Sequence, residues 1–239
     1  MAATRTHAVG DPGRTAQRNA TAERRRERKR EILSATRALF EERGVNNAQI
    51  EDIARAAGIN RAIVYRHFSS KDEIFALTMV NYLTELSATL AVASDEGDSP
   101  TDRLVRTVDT FALYAMDHPA FVDCAQVLTS QAWAELRGEV PQEALLRLGQ
   151  LIADCLRSFV RVVEAGCASG EFEVEEPAVM ANMLYASALG ALQQARLGIF
   201  IAYGEDGEPI VRPLPREQVR RYLREAALAA TRRPRPVTD

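Results

Sequence analysis

Apolar residues recur at intervals of three and four positions along most of this 239-residue chain, with no convincing alternation of the strand type. This spacing predicts an all-α protein. Breaks rich in Gly, Pro, Asp and Glu divide the pattern, and several prolines stand where new helices are expected to begin. Beyond residue 71, helices are predicted over about 72–93, 101–118, 119 onward, 141–170, 177–202 and 215 onward, with a turn-rich loop over 204–214.

Residues 49–75 are the most informative stretch, because their pattern is typical of two short helices joined by a glycine turn. Ile50 and Ile53 lie on one face of the first helix. Gly58 supplies the left-handed turn that ends this helix, and the side chain of Asn60 can cap the next one. The stretch therefore predicts a compact helical hairpin.

The second helix of this hairpin has two chemically different faces. Ile63, Val64 and Phe68 point to one side. The other side carries groups that bind phosphate and bases: Arg61, Tyr65, Arg66 and His67. Alanines in the first helix allow a close crossing, so the pattern predicts a helix-turn-helix unit whose second helix enters the major groove of DNA. The alternative is an ordinary helical hairpin with solvated polar groups.

A further helix before the hairpin is predicted to complete a three-helix unit. Its apolar stripe consists of Ile32, Thr36, Leu39 and Phe40. Its start is heavily basic: Arg24, Arg25, Arg26, Arg28, Lys29 and Arg30. These cations either lie against the DNA backbone or form a solvated helix start. The preceding residues lack a periodic apolar pattern, so we expect a disordered arm that could reach a minor groove.

Four short motifs follow one another through residues 30–75. They are Leu39-Phe40-Glu-Glu-Arg-Gly44, Ile53-Ala54, Ala57-Gly58-Ile59 and Tyr65-Arg-His67-Phe68-Ser-Ser-Lys71-Asp-Glu-Ile74. Together they resemble the DNA-binding domain of the TetR family of bacterial transcriptional regulators. The resemblance covers about a fifth of the chain.

The resemblance implies DNA contacts at eight positions. They are Gln49, Asn60, Arg61, Ala62, Tyr65, Arg66, His67 and Lys71. Tyr65 and Lys71 match the family's phosphate-contacting pair. Arg61 and Arg66 are the best candidates for reading bases, because a guanidinium donates two hydrogen bonds to guanine. Gln49 stands where a capping threonine is common in the family, and Ala62 where glycine is common.

The resemblance also implies a domain division and a homodimer. We expect a disordered arm over 1–22, the helix-turn-helix domain over 23–71, a helical regulatory and dimerisation domain over 72–231, and a disordered tail over 232–239. The last two long helices are expected to pair with their copies in a second subunit, unless they are internal to one subunit's core. Such a dimer would bind a near-palindromic operator in double-stranded DNA.

Members of this family enclose an inducer in the regulatory domain. Candidate lining residues are Phe111, Tyr114, Met116, Phe121, Trp133, Phe159, Met183 and Tyr185. Because these segments carry few charges, we expect a small hydrophobic effector. The expected function is a ligand-responsive repressor. A ligand-independent or architectural DNA-binding dimer and a ligand-dependent activator are the alternatives.

Charge distribution supports a DNA-binding N-terminal part. Residues 1–75 contain 15 Lys and Arg against 10 Asp and Glu, whereas residues 76–239 contain 15 against 23. The overall net charge of −3 hides this division. We therefore expect the basic end of the chain to face the polyanion.

Enzyme, metal and membrane roles are not expected. The chain has three scattered histidines and no phosphate loop or nucleophile motif, so no catalytic residue, cofactor or metal site is predicted. The best apolar stretch, 178–203, is interrupted by polar residues that are costly in a bilayer. Cys124, Cys155 and Cys167 lack close metal-ligand spacing and are predicted to be core positions. These features favour a cytoplasmic protein.

Overall fold

The computed structural model describes residues 12–45, 47–130, 138 and 140–232. Among these residues the fold is helical apart from one β-hairpin, which confirms the predicted fold class. The helices are α1 (Pro12–Arg43), α2 (Ile50–Ala56), α3 (Arg61–His67), α4 (Lys71–Asp95), α5 (Pro100–Asp117), α6 (Pro119–Ser130), α7 (Gln142–Ser169), α8 (Pro177–Leu197) and α9 (Arg216–Ala230). The strands are β1 (Ile199–Tyr203) and β2 (Pro209–Pro213).

The first three helices pack around a small apolar core. Ile32 and Phe40 of α1 are buried together with Ile53 of α2 and Val64 of α3. These are the positions at which the three-residue and four-residue spacing placed the inward faces. The core continues from this unit into α4 without a gap. The packing therefore couples the orientation of α3 to helices α4–α9, which we call the larger domain.

The helix α1 is longer than the sequence predicted. It begins at Pro12, so residues 12–22, which we expected to belong to a disordered arm, are helical instead. Proline is well suited to the first position of a helix, and the Ala, Gln, Arg and Glu residues that follow favour helix formation even without an apolar stripe. The remainder of the predicted arm, residues 1–11, and residues 233–239 of the predicted tail lie outside the described residues.

The larger domain is built around α4. This helix packs against α5 and α7, and it buries Tyr82, Leu86 and Leu90 almost completely. Among the described residues, α4 is the helix long and apolar enough to cross a membrane, and it is not the 178–203 segment that the sequence had singled out. More than half of its most apolar segment is buried inside the fold, which is typical of a core helix.

A β-hairpin corrects the predicted helix end and loop between residues 198 and 214. The helix α8 stops at Leu197, where Gly198 takes a φ of +68° and ends it. The residues of β1 are mostly β-branched or aromatic, and they pair antiparallel with β2, with Ile201 opposite Val211. Because the strands are short and joined through a turn at Gly207, the pattern resembled a helix end followed by a loop.

Candidate nucleic-acid interface

Local contacts fix the geometry of the α2–α3 hairpin. Gly58 has a φ of +66° in the turn that ends α2, a conformation that residues with a Cβ rarely adopt. The Oδ1 atom of Asn60 accepts a hydrogen bond from the backbone N–H of Ile63 at 3.0 Å, and this caps α3. Val64 has no exposed surface and anchors α3 in the core. The outward face of α3 is thereby held in one direction.

This outward face carries the predicted DNA-reading side chains. Arg61, Tyr65 and Arg66 are exposed. The Nη1 atom of Arg61 lies 2.5 Å from Oε1 of Glu51 on α2, and Nη2 lies 3.4 Å from the Tyr65 hydroxyl. The hydrogen bond to Tyr65 and the charge of Glu51 raise the pKa of Arg61. Arg61 is therefore a cation that is already oriented before DNA arrives.

Lys71 begins α4 immediately after the turn that follows α3. The Oγ atom of Ser70 accepts a hydrogen bond from the backbone N–H of Glu73 and caps the helix. The buried carboxylate of Glu73 accepts hydrogen bonds from the backbone N–H and the hydroxyl of Ser69, at 2.6 and 2.8 Å. Because this turn is so fully hydrogen-bonded, half-buried Lys71 has a defined position beside α3.

His67 lies at the C-terminal end of α3, beside the basic start of α1. Burial lowers the pKa of His67, and so do the charges of Arg25, Lys29, Arg28 and Arg66. Its Nδ1 atom is enclosed and has no hydrogen-bond partner among the described residues. The sequence did not indicate that cations of α1 face α3, because only the packing of α1 brings them together.

The remaining candidates lie at the ends of the same elements. Gln49 is exposed and directly precedes α2, and its backbone N–H donates to Oδ2 of Asp52 at 3.3 Å. Position 49 is the one where a capping threonine is common in the resembled family, and here the carboxylate of Asp52 binds the backbone N–H of that position. Ala62 is exposed in the first turn of α3. All eight candidates therefore lie at the start of α2, on α3 and its cap, or at the start of α4, and their roles stay predictions.

The cysteines and acidic residues do not form a metal centre in the described part of the chain, since no three potential ligands are grouped there. Cys124 and Cys155 are buried and Cys167 is half-buried. Burial raises the pKa of Cys155 to about 12, so its thiol remains protonated. Cys124 and Cys155 occupy core positions, as the sequence predicted.

A second candidate site is an apolar cavity of about 60 Å³ inside the larger domain. Helices α4, α5, α6, α7, α8 and α9 all contribute to its wall. Four of the eight predicted pocket residues line it: Phe111, Phe121, Phe159 and Tyr185. Burial raises the pKa of Tyr185 to about 12, so this residue presents a neutral hydroxyl.

The other pocket predictions are placed differently. Met183 is 62% exposed on the outer face of α8, and Tyr114 and Met116 do not line the cavity. Trp133 lies outside the described residues. Lining residues that sequence reasoning missed include Leu86 of α4, an aliphatic residue on an apolar helix. No sequence signal distinguishes such a residue from ordinary core, because only helix packing decides which side chains border a void.

A polar junction joins α1 to the larger domain and was not foreseen either. The hydroxyl of Tyr82 donates to Glu41 of α1 at 2.7 Å, and the backbone N–H of Ala120 donates to the same carboxylate at 3.1 Å. Nearby, Arg37 of α1 pairs with Glu85 of α4 at 2.5 Å. The carboxylate of Glu41 thus connects α1 with both α4 and the start of α6.

The cavity reaches this junction through one aromatic ring. Phe121 lines the cavity, and its ring centroid lies 6.1 Å from that of Tyr82 and 5.6 Å from that of Tyr114. The hydroxyl of Tyr114 in turn donates to the backbone carbonyl of Tyr82 at 2.9 Å. A displacement of Phe121 would therefore change its packing against Tyr82 and Tyr114, and Tyr82 is hydrogen-bonded to α1.

Known proteins match the N-terminal part of the chain in sequence, and they match most of the chain in fold. Residues 32–77 match the family described as bacterial regulatory proteins, tetR family. The HTH-type transcriptional regulator HbdR of Aromatoleum sp. (strain CIB) is 33% identical over 82 residues, which cover 34% of this chain and 36% of that protein. The HTH-type transcriptional activator FasR of Mycolicibacterium smegmatis is 30% identical over 87 residues, covering 36% of this chain and 40% of FasR. The matches thus span about two fifths of these relatives or less.

Solved structures extend the similarity to most of the chain. A tetR-family regulatory protein from Rhodococcus RHA1 superposes with a TM-score of 0.61 at 19% identity, covering 85% of this chain and 96% of that one. The regulator FadR of Bacillus subtilis, solved in complex with stearoyl-CoA, superposes with a TM-score of 0.62 at 13% identity, covering 84% and 97%. At these identities the likeness establishes the fold.

Proposed function

We propose that this chain belongs to the TetR family of bacterial regulatory proteins and is a ligand-responsive transcriptional repressor that acts in the bacterial cytoplasm. The family match of the N-terminal segment and the fold shared with the family's regulators support this proposal. The protein binds double-stranded DNA as a homodimer through α3. We keep the predicted boundary between a DNA-binding unit that ends near Lys71 and a regulatory domain that begins with α4, as part of this proposal. The matched segment includes all three elements that carry the DNA-binding candidates.

The observation that carries the proposal is the exposed, oriented set of cations on an anchored α3. Arg61 is held by Glu51 and Tyr65, and Arg66 is free to extend from the same helix. We assign base reading to these two arginines. Lys71 is assigned to the phosphate backbone, because contacts with phosphate fix the register of the protein without specifying sequence.

A homodimer through α8 and α9 is supported by apolar and small residues that one protomer leaves exposed. Val179 and Met183 of α8 are 54% and 62% exposed, and Tyr222 of α9 is 56% exposed. Exposed Gly190 allows another helix to approach α8 closely. Dimerisation would place two copies of α3 in successive major grooves, roughly 34 to 36 Å apart or at a multiple of that distance. The operator should then be a near-palindrome.

A small hydrophobic effector is supported by the cavity, whose wall is almost wholly apolar. Ligand pockets usually have about 300 to 1,000 Å³, so the cavity would have to open as the ligand enters. The ligand would then displace helices of its wall, among them α4 and the two proposed dimer helices. An effector that binds the displaced form about 100-fold better supplies roughly 2.7 kcal/mol, which is within the usual range of allosteric coupling.

Two alternatives remain in the proposal. A ligand-dependent activator fits the same fold, and FasR is named as an activator. A ligand-independent DNA-binding dimer fits the small size of the cavity. Titration with a panel of fatty acids, acyl thioesters and aromatic compounds separates them from a repressor. Weaker operator binding in the presence of a ligand supports the repressor, and tighter binding supports the activator. If neither the operator affinity nor the melting temperature changes, the ligand-independent dimer is supported.

The first experiment is selection of bound genomic fragments by the purified protein at near-physiological salt, where nonspecific binding is weakened. An enriched palindrome near a promoter is the expected result. If no sequence is enriched in the presence or absence of the effector panel, a specific regulator is excluded.

Alanine variants then test the division of labour on α3. Arg61→Ala and Arg66→Ala are expected to weaken binding to the selected operator by about 5- to 150-fold each and to relax base preference. Lys71→Ala should weaken binding to operator and random duplex equally. Arg147→Ala, an exposed position on α7, is the matched control and should change neither. Equal losses on both duplexes for all three variants would contradict the proposed roles.

A further inference from the structure

The helix α1 extends far beyond the part of it that packs in the protein. It begins at Pro12, but among its residues whose side chains the structure describes, the first that is fully buried is Ile32. The twenty residues between these positions correspond to a helical segment of about 30 Å. From residue 19 to residue 28, every side chain is exposed. We call residues 12–31 the α1 extension.

The α1 extension presents cations that nothing in the described part of the protein neutralises. Arg24, Arg25 and Arg26 are exposed and form no ion pair or hydrogen bond with any described residue. Two of the three neighbouring carboxylates have other partners, since Glu27 pairs with Arg30 at 2.6 Å and Glu31 pairs with Arg28 at 2.7 Å. The segment from residue 24 to residue 31 therefore carries an excess of positive charge.

One face of this segment is directed at the end of α3. Residues 25, 28 and 29 follow the i, i+3, i+4 spacing of a single helix face. The three cations on this face are those of α1 whose charges act on His67. Lys29 also lies 5.1 Å from the centroid of the Phe68 ring, directly after α3, and 3.5 Å from Glu73. The basic face of the α1 extension thus begins beside the C-terminal end of the proposed reading helix.

We propose that the α1 extension is a second DNA-binding element, which contacts phosphates of the duplex beside the bases read by α3. This inference rests on the proposed function, because α3 must lie in the major groove for the extension to run along the neighbouring backbone. An element of this kind adds affinity and binding-site length without adding sequence information. A long exposed helix with unpaired arginines and no apolar face suits a polyanion, whereas it offers nothing to a hydrophobic partner.

The test compares Arg24→Ala/Arg25→Ala/Arg26→Ala with the unchanged protein on a selected operator and on a random duplex of equal length. Each lost phosphate contact lowers the slope of log affinity against log salt by about 0.9, so the triple variant should lose up to about 2.7. The same loss is expected on both duplexes, and the preference for operator over random DNA should stay constant. On a duplex trimmed to the operator itself, the variant and the unchanged protein should differ much less.

A matched control removes the same charge elsewhere. Arg106, Arg147 and Arg157 are exposed on α5 and α7, and their triple alanine variant should retain the original salt slope. An unchanged slope for the α1 variant, or a slope that falls equally in the control, overturns the inference. If the unchanged protein binds operator and random DNA equally well, the proposed function is overturned instead. The extension is still tested in that case, because its effect on the salt slope is measured on random DNA as well.

Discussion

Removal of one hydroxyl tests how firmly the DNA-binding unit is held to the larger domain. Tyr82 of α4 is completely buried, and its hydroxyl donates to Glu41 of α1 at 2.7 Å. Tyr82→Phe deletes this hydrogen bond and leaves the ring in place against Arg37, whose guanidinium lies 4.3 Å from the ring centroid. Burial and the bond to Glu41 also raise the pKa of Tyr82, so the hydroxyl is a donor at every pH of interest.

The expected loss follows from the partners of the bond. Hydrogen bonds to charged groups contribute about 1.5 to 3 kcal/mol. Glu41 keeps the backbone N–H of Ala120 as a donor, and its side chain is 27% exposed, so water can partly replace the lost hydroxyl. We therefore expect the lower end, a decrease of about 1.5 kcal/mol in the free energy of unfolding. For a protein of this size that corresponds to a melting temperature lower by roughly 3 to 6 °C.

The assay is urea unfolding of Tyr82→Phe, Glu41→Gln and the double variant at one fixed protein concentration, because a dimer's stability depends on concentration. The coupling energy from this cycle should be at least about 1 kcal/mol. Tyr203→Phe is the matched control, since the side chain of Tyr203 is 79% exposed on β1 and should change stability little. Additive effects of the two substitutions, within about 0.5 kcal/mol, would refute the reasoning.

Three further predictions concern α2, α3 and α7. Glu51→Gln should tighten operator binding by up to about fivefold in fluorescence anisotropy, because it removes a negative charge that competes with DNA for the guanidinium of Arg61, while the hydrogen bond to Tyr65 keeps that side chain oriented. Unchanged or weaker binding would contradict this. Because burial and nearby cations lower the pKa of His67 below 6.5, the folded state resists protonation, and the free energy of unfolding should decline as the pH falls through that value. His67→Gln should reduce this decline in urea titrations at pH 5.5 and 7.5, and an identical decline in both proteins would argue against the assignment. Gly166→Ala should lower stability by about 1 to 3 kcal/mol in thermal unfolding, since the new methyl would overlap the ring of a buried phenylalanine. The control is Gly149→Ala in the same helix, which has open space around it and should be neutral or stabilising.

Sequence reasoning succeeded where local chemistry decides structure. Gly58 and Asn60 indicated the turn and the helix cap of the α2–α3 hairpin, and the structure has both. Ile53 and Val64 indicated its buried side. In these cases the decisive contacts join residues that lie close together in the chain, so their spacing carries the information.

It was wrong where a local pattern permitted two outcomes. Residues 12–22 lack an apolar stripe, yet their composition suits a helix, and α1 continues through them. The segment after Gly198 has the apolar residues of either a helix end or a strand, and pairing with residues 209–213 makes it a strand. Strand pairing joins residues separated along the chain, which a helical period cannot reveal.

Hydrophobic period, capping residues and turn glycines act over a few positions, so they were enough to predict the helical class, the helix-turn-helix unit and the resemblance of residues 30–75 to the TetR family. The packing of the helices determines which aromatic residues border the cavity, places Phe121 against both the cavity and Tyr82, and brings the cations of α1 beside His67. Those arrangements depend on how whole helices pack against each other. Their side chains come from distant parts of the chain, and each one, taken alone, has the pattern of ordinary core or ordinary surface.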